Sequence, residues 1–217
     1  MIFENFPILT LMTFLPMLGV LLVMIMRGED QERLRSNAVN VGGFVSLSVL
    51  VLAFIMLFQF DGANPEFQFV EKVIWFQGLN LSYHMGVDGI SVFFVVLAAL
   101  LTPICILLCK KSVTNRVREY VIALLILETL MIGTFCALDG ILFYVFFEGV
   151  LIPMFILIGV WGGPKRVYAA FKFFLFTLLG SVLMLAAFMY LFIENGTTDI
   201  PTLMDNIPSQ TAQFWLF

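Results

Sequence analysis

The stretch FYVFFEGVLIPMFILIGVWGG, residues 143–163, holds a single acidic side chain, Glu148, among aliphatic and aromatic neighbours. About 20 such residues wound as a helix cross the roughly 30 Å hydrocarbon core of a bilayer. The run lacks the period-two alternation of a barrel strand, which turns one face to lipid and the other to a lumen. It reads as a membrane-spanning helix, and that reading decides the fold.

Five further stretches share this character, so spans are predicted near 7–26, 38–60, 89–109, 119–138, 141–160 and 168–193. Composition agrees: the 217 residues are 61% apolar and 12% charged, against about 25% charged in a soluble domain. Hydrocarbon forbids unpaired backbone groups, which leaves helices as the economical way across. The expected fold is all-α and polytopic. Its parts are an N-terminal helix pair (1–60), an outer loop (61–88), helices three to six (89–193), and an outer segment (194–217) in which the resemblance given below implies the start of a truncated seventh helix. The first span follows Glu4 rather than a basic segment and lacks a small-residue cleavage site, so it is expected to be retained.

Orientation follows from the cations. Arg27, Arg33 and Arg35 come after the first span, Lys110, Lys111, Arg116 and Arg118 after the third, and Lys165 and Arg166 after the fifth. All fall on one side of six alternating crossings, while the opposite loops hold only Lys72. Short basic loops stay on the cytoplasmic or matrix side, which puts the N-terminus outside.

The net charge of −4 is spread over loops, with no run of like charge to attract nucleic acid. Cys105, Cys109 and Cys136 lie in apolar surroundings without a third ligand nearby and read as small buried hydrophobes. GVWGGPK resembles a phosphate loop only in its glycines, and Asn195-Gly196-Thr197 matches a glycosylation triplet that arises often by chance. In the loop 61–88, FQFVEKVIWF has strand-like content and QGLN offers a turn, so a short hairpin is expected over the outer face. His84 reads as a hydrogen-bonding anchor or a solvated side chain, with proton transfer the less favoured role. Asp88 reads as the N-cap of the third span.

The intramembrane charges carry the functional signal. An ionised carboxylate at mid-bilayer costs about 2.5–3.5 kcal/mol on insertion scales, so such groups face a protein interior, a partner or water. Glu128 in span four lies eleven residues before Asp139 and Glu148 nine after it. At about 1.5 Å per residue both stand at one depth. If they also face each other, the pair could share one exchangeable proton near neutral pH. Pro153 leaves the Gly149 carbonyl without its helical donor beside Glu148. Lys172 either snorkels to the interface or turns inward as a cationic relay. Thr177, Gly180 and Ser181 form a small-residue strip that predicts close helix packing.

The residues VREYVIALLILETLMIGTFCALDGILFYVFFEGVLIPMFILIGVWGG, with YAAFKFFLFTLLGS and NGTTDIPTL, resemble the M-type (fourth hydrophobic) chains of proton-translocating NADH:quinone oxidoreductase, respiratory complex I. FQFVEKVIW, YHMGVDGIS and TPICIL extend the resemblance over about residues 66–205.

The resemblance implies an antiporter-like membrane-arm subunit that moves protons while NADH, FMN, iron–sulfur clusters and quinone react on partner chains. It implies no cofactor on this chain, and a place in a bacterial cytoplasmic or mitochondrial inner membrane. Glu148 aligns with the family's fifth-helix glutamate, an essential protonatable group, and Glu128 and Lys172 are expected relay members. The family has about fourteen helices in inverted repeats, with the partner lysine on a broken seventh helix. The sequence here runs to SQTAQFWLF, so the resemblance implies that the remaining helices sit on a second polypeptide or that the chain is truncated. A subunit of a cation/proton antiporter outside complex I and a non-conducting scaffold are the competing readings.

Overall fold

The computed structural model describes residues 6–26, 31–76, 81–206 and 208–216. It contains helices α1 (Ile8–Ile25) and α2 (Gln31–Gln59), strands β1 (Gln68–Phe76) and β2 (Leu81–Val87), and helices α3 (Ser91–Ser112), α4 (Val117–Cys136), α5 (Gly140–Trp161) and α6 (Arg166–Asn195). Two short helices follow, α7 (Ile200–Asp205) and α8 (Gln210–Leu216). The six helices α1 to α6 are each long and apolar enough to cross a membrane. They match the six expected spans, with α2 beginning about two turns earlier. Arg27 and the turn QGLN lie outside the described residues.

Helix α4 is the hub, packing on α1, α2, α3 and α5, while α6 packs chiefly on α5. Burial falls accordingly, from 50% of the α4 span to 22% for α5 and 6% for α6. The close approaches use glycine. A Cβ on Gly42 would lie 2.4 Å from Val121, and one on Gly19 would lie 2.9 Å from Val45 and 3.2 Å from Leu125. Two buried clusters result. One, under the outer face, includes Met12, Met56, Met85, Ile132 and Phe146; the other, nearer the inner face, includes Val20, Ile106, Val121 and Leu125.

At the end of the bundle that carries the basic loops, three arginines close helix C-termini, where carbonyls lack helical donors and the helix dipole favours a cation. Arg118 donates to the carbonyls of Val23 and Met24 at the end of α1. Arg35 donates to Lys110 and Val113 at the end of α3 (2.8 and 2.9 Å), and Arg166 to Val160 at the end of α5 (2.8 Å). GVWGGPK is the α5–α6 turn, in which Gly162 donates its N–H back to Ile158. Gly196, at φ 70°, ends α6 in the left-handed conformation that glycine adopts without strain.

At the opposite end of the bundle, β1 and β2 pair antiparallel, with Lys72 opposite His84 and Val73 opposite Tyr83. The hairpin is bolted to the helices. Glu71 accepts from the backbone N–H groups of Leu9 (2.8 Å) and Thr10 (3.1 Å) and from the Thr10 hydroxyl. It thereby caps α1, whose own N-cap position is Pro7 without a side-chain cap. Asp88 accepts from Ile90 and Ser91 N–H (3.1 and 2.6 Å), and Ser91 Oγ accepts from Asp88 N–H, a reciprocal cap at the start of α3 as expected.

Candidate functional site

The turn Ala137–Asp139 joins α4 to α5, so the two helices run antiparallel. Asp139 caps α5 by accepting from Ile141 and Leu142 N–H (3.0 and 3.2 Å). Glu128 lies eight residues before Cys136 and Glu148 eight residues after Gly140, about 12 Å along each helix. The equal depth read from the sequence holds.

Their mutual approach does not. The α4–α5 seam is marked by Gly133, whose added Cβ would lie 2.5 Å from the Phe146 ring, and by Gly149, whose added Cβ would lie 2.8 Å from Leu130. Glu128 is two residues from Leu130, about 200° around α4, and Glu148 is two residues from Phe146 on α5. Glu128 turns into the α1–α4 bundle and is fully buried, with neither oxygen hydrogen-bonded. Glu148 is half-buried on the far flank of α5, and its Oε2 is likewise buried without a partner. The expectation of a carboxyl pair sharing one proton is therefore corrected. Depth follows from counting residues, whereas rotation is set by which small residues form the seam.

Glu148 instead stands level with α6. The Phe155 ring packs against Phe171 and Phe174, with centroids at 5.2 and 5.6 Å, and Phe143 packs against Phe188 at 6.3 Å. Midway between these contacts lie Glu148 and Gly149 on α5 and Ser181 on α6. Ser181 is buried, lies seven residues from both Phe174 and Phe188, and thus shares their α5-facing side. Thr177 and Ser181 each donate back to a carbonyl of their own helix, Phe173 (2.9 Å) and Leu178 (3.0 Å). Gly180 does not form the expected close packing, since a Cβ there would meet nothing within 4 Å. The contact is made by phenylalanines, and Gly180 lines a cleft of about 720 Å³ with Tyr190 and Trp215.

Pro153 sits buried within an unbroken α5 and leaves the Gly149 carbonyl without its helical donor, next to Glu148. Lys172 is exposed and lies two residues from both Ala170 and Phe174, on the side of α6 away from α5. Its ammonium lies 6.0 Å from the Tyr168 ring centroid. It stands at the level of Phe155, about 10 Å from Glu148 along the helix axis. Lys172 is thus turned away from Glu148 in this arrangement.

A second polar centre, at the outer face, was not read from the sequence as a unit. Asp199 caps α7 and accepts from Lys72 Nζ (2.8 Å) and Thr202 Oγ1 (2.7 Å), and its Oδ1 lies 2.6 Å from His84 Nδ1. Lys72 and His84 reach it together because cross-strand partners share one face. Burial raises the Asp199 carboxyl, but Lys72, Thr202 and His84 outweigh burial and bring it down to about 2. Thr198 donates to Asp139 (3.0 Å), Gly140 N–H to Thr198, Ile200 N–H to Leu138, and Leu138 N–H to His84, all three at 2.8 Å. The hairpin, the α4–α5 turn and the segment after α6 are laced together at the end of the helix that carries Glu148. His84 is the anchor of this lacing. The helix-start pattern Asp199-Ile200-Pro201 was the available signal for Asp199.

The class defined by these features is a multi-pass helical membrane protein with carboxyl groups buried within its candidate spans. Residues 137–217 match the family described as NADH:quinone oxidoreductase/Mrp antiporter, TM. Over 198 residues the chain is 50% identical to a protein named NADH-quinone oxidoreductase subunit M from Rhodobacter capsulatus, covering 91% of this chain and 38% of the relative. It is 42% identical to NADH-ubiquinone oxidoreductase chain 4 of Marchantia polymorpha, covering 94% and 40%. Its fold matches a chain of respiratory complex I from Thermus thermophilus with a TM-score of 0.81 at 26% identity, covering 96% and 41%. A chain of the Mrp complex from Dietzia sp. shares the fold alone, with a TM-score of 0.76 at 19% identity, covering 96% and 22%. The chain is thus similar to the N-terminal portions of M-type, antiporter-like chains of NADH:quinone oxidoreductase. It spans about two-fifths of the length of the curated relatives it matches.

Proposed function

We propose that the chain forms part of a proton-translocating membrane-arm subunit of NADH:quinone oxidoreductase, with Glu148 as its principal proton-holding group. The observation that supports this most is the setting of Glu148: mid-span, with Oε2 buried and unpartnered, at the level of buried Ser181 and beside the proline-freed Gly149 carbonyl. A carboxyl so placed takes up or releases a proton when a cation approaches or withdraws, because an opposite charge stabilises the ionised form far more in a poorly solvated site than in water. Redox chemistry on this reading belongs to partner chains carrying FMN, iron–sulfur clusters and the quinone site. Glu128 and Lys172 act as further relay groups through intervening groups, since neither meets Glu148 directly. The cation that drives Glu148 comes from outside this span of sequence, on the remaining helices.

The test is Glu148→Gln in the assembled oxidoreductase. Assembly on native gels and reduction of an artificial electron acceptor should survive while NADH-driven acidification of inverted vesicles is lost. Acidification equal to the parent enzyme's would remove Glu148 from the mechanism. The Mrp-like fold favours one alternative, a cation/proton antiporter subunit outside complex I. Purification under mild detergent separates the two: flavin and iron–sulfur absorbance travelling with the chain supports the oxidoreductase, and its absence supports the antiporter.

A further inference from the structure

Four side-chain oxygens in the bundle core have no hydrogen-bond partner: Thr13 Oγ1, Thr129 Oγ1 and both oxygens of Glu128. Thr13 and Glu128 are 0% exposed and Thr129 is 3% exposed. Buried polar groups are otherwise nearly always paired, with protein or with ordered water. Orphaned atoms scattered through a core would each need a separate explanation, whereas orphans that converge define a site.

Helix register brings them together. Helices α1 and α4 run antiparallel, with Arg118 on the carbonyl of Val23 (3.1 Å) near the inner face and Leu125 against Gly19 further out. Counting outward, Glu128 and Thr129 follow Leu125 by three and four residues, so both flank the position that touches α1, one turn beyond it. On α1 the corresponding turn holds Leu15 and Pro16, and Thr13 lies within one further turn. Thr13, Pro16 and Gly19 all belong to the buried face of α1. Pro16 adds a fifth oxygen, because it has no N–H to bond the carbonyl of Met12, itself fully buried. Register thus places two hydroxyls, one carboxyl and one freed carbonyl at one level between α1 and α4, on the side of α4 away from α5.

The donor set selects the ligand. It is all oxygen, contains no amide or ammonium donor, and has an excess of acceptors, which a molecule supplying two O–H donors satisfies. We infer that Thr13, Glu128, Thr129 and the Met12 carbonyl form an internal water-binding site in which Glu128 exchanges its proton with bound water. In the exchange the Glu128 O–H bond breaks, its proton passes to the water oxygen, and a proton from that water's other hydrogens returns to the carboxylate, so charge and atoms are conserved. The inference deepens the proton-translocation reading by giving Glu128 a water chamber of its own, and rests on that reading only for where the proton finally goes. It places α1 in the path, a helix that the acids of α4 and α5 alone do not implicate.

The test is infrared spectroscopy of the chain purified in the complex it forms, transferred from H2O to D2O. Glu128 is identified as the protonated-carboxyl band lost in Glu128→Gln. The expected result is a prompt isotopic downshift of that band, slowed about tenfold in Thr13→Val as one hydrogen bond to the water is lost. Thr129→Val supplies the same rate comparison if Thr13→Val fails to assemble, and Glu128→Asp, which moves the band without removing the carboxyl, assigns it if Glu128→Gln does. A band that keeps its position for hours in D2O would mean a dry packing contact and overturns the inference. So does a downshift rate unchanged in both threonine variants, or a band that shifts on adding sodium, which would mean a cation site. The Glu148→Gln variant separates this inference from the proposed function: it abolishes pumping if that function holds, yet the Glu128 band must exchange there as in the parent.

Discussion

Glu128 and Glu148 stand at the same depth on two helices joined by the Ala137–Asp139 turn, yet they face opposite sides of the seam between those helices. Glu128 is sealed in the α1–α4 bundle, while Glu148 looks toward α6 at the level of Ser181. The two acids therefore act in different surroundings and are separable by mutation. The seam between them is narrow, and the narrowness rests on Gly133 and Gly149.

Gly133→Ala tests the seam. The added methyl would lie 2.5 Å from the Phe146 ring, and the ring cannot yield without disturbing the buried cluster it belongs to. Overpacking of this kind costs about 1–3 kcal/mol. Thermal unfolding in detergent should show a lowered midpoint, and Gly180→Ala, where nothing lies within 4 Å, should leave it unchanged.

Glu71→Ala removes the cap that the hairpin lends to α1. Loss of an N-cap typically costs about 1 kcal/mol, and the acid's favourable placement at a helix N-terminus adds to that. Hydrogen exchange at Leu9 and Thr10, whose N–H groups bond Glu71, should accelerate about fivefold or more for a loss of that size. Unchanged protection would show that the hairpin is not what holds the start of α1.

Asp199 carries a pH dependence of defined sign. Its carboxyl is held at about 2 in the folded chain, below its ordinary value of 3.8. A depressed carboxyl contributes stability that is fully present above its unfolded value and is lost as pH falls through the folded one. The hairpin clamp should thus keep its strength above about pH 4 and release toward pH 2. Limited proteolysis at the hairpin, followed against pH, should show this window. Asp199→Asn should weaken the clamp at neutral pH by about 1.5–3 kcal/mol, the range for a charge-assisted hydrogen bond.

The six spans were legible in the sequence because lipid demands apolarity all round a helix, and the basic loops gave the expected direction. The hairpin was legible from its β-branched and aromatic content, although its turn lies outside the described residues. The depth of Glu128 and Glu148 came from simple counting. Their rotation did not, because it depends on contacts such as Gly133 with Phe146 and Phe155 with Phe171, which join residues that no local pattern links. For the same reason Lys172 could not be assigned a face. The Asp199 centre escaped notice because Lys72 and His84, on one hairpin, lie more than a hundred residues before Asp199. The inner arginines were read only as topology signals, though their spacing after α1, α3 and α5 also suits them to close helix ends.

The central claim is that Glu148 changes its protonation state during turnover, and infrared difference spectroscopy of the working complex tests it most directly. Spectra recorded with NADH and quinone, minus those of the resting complex, should contain a carboxyl band that is absent from the same difference in Glu148→Gln. A parent spectrum indistinguishable from that of the variant in the carboxyl region would contradict the account.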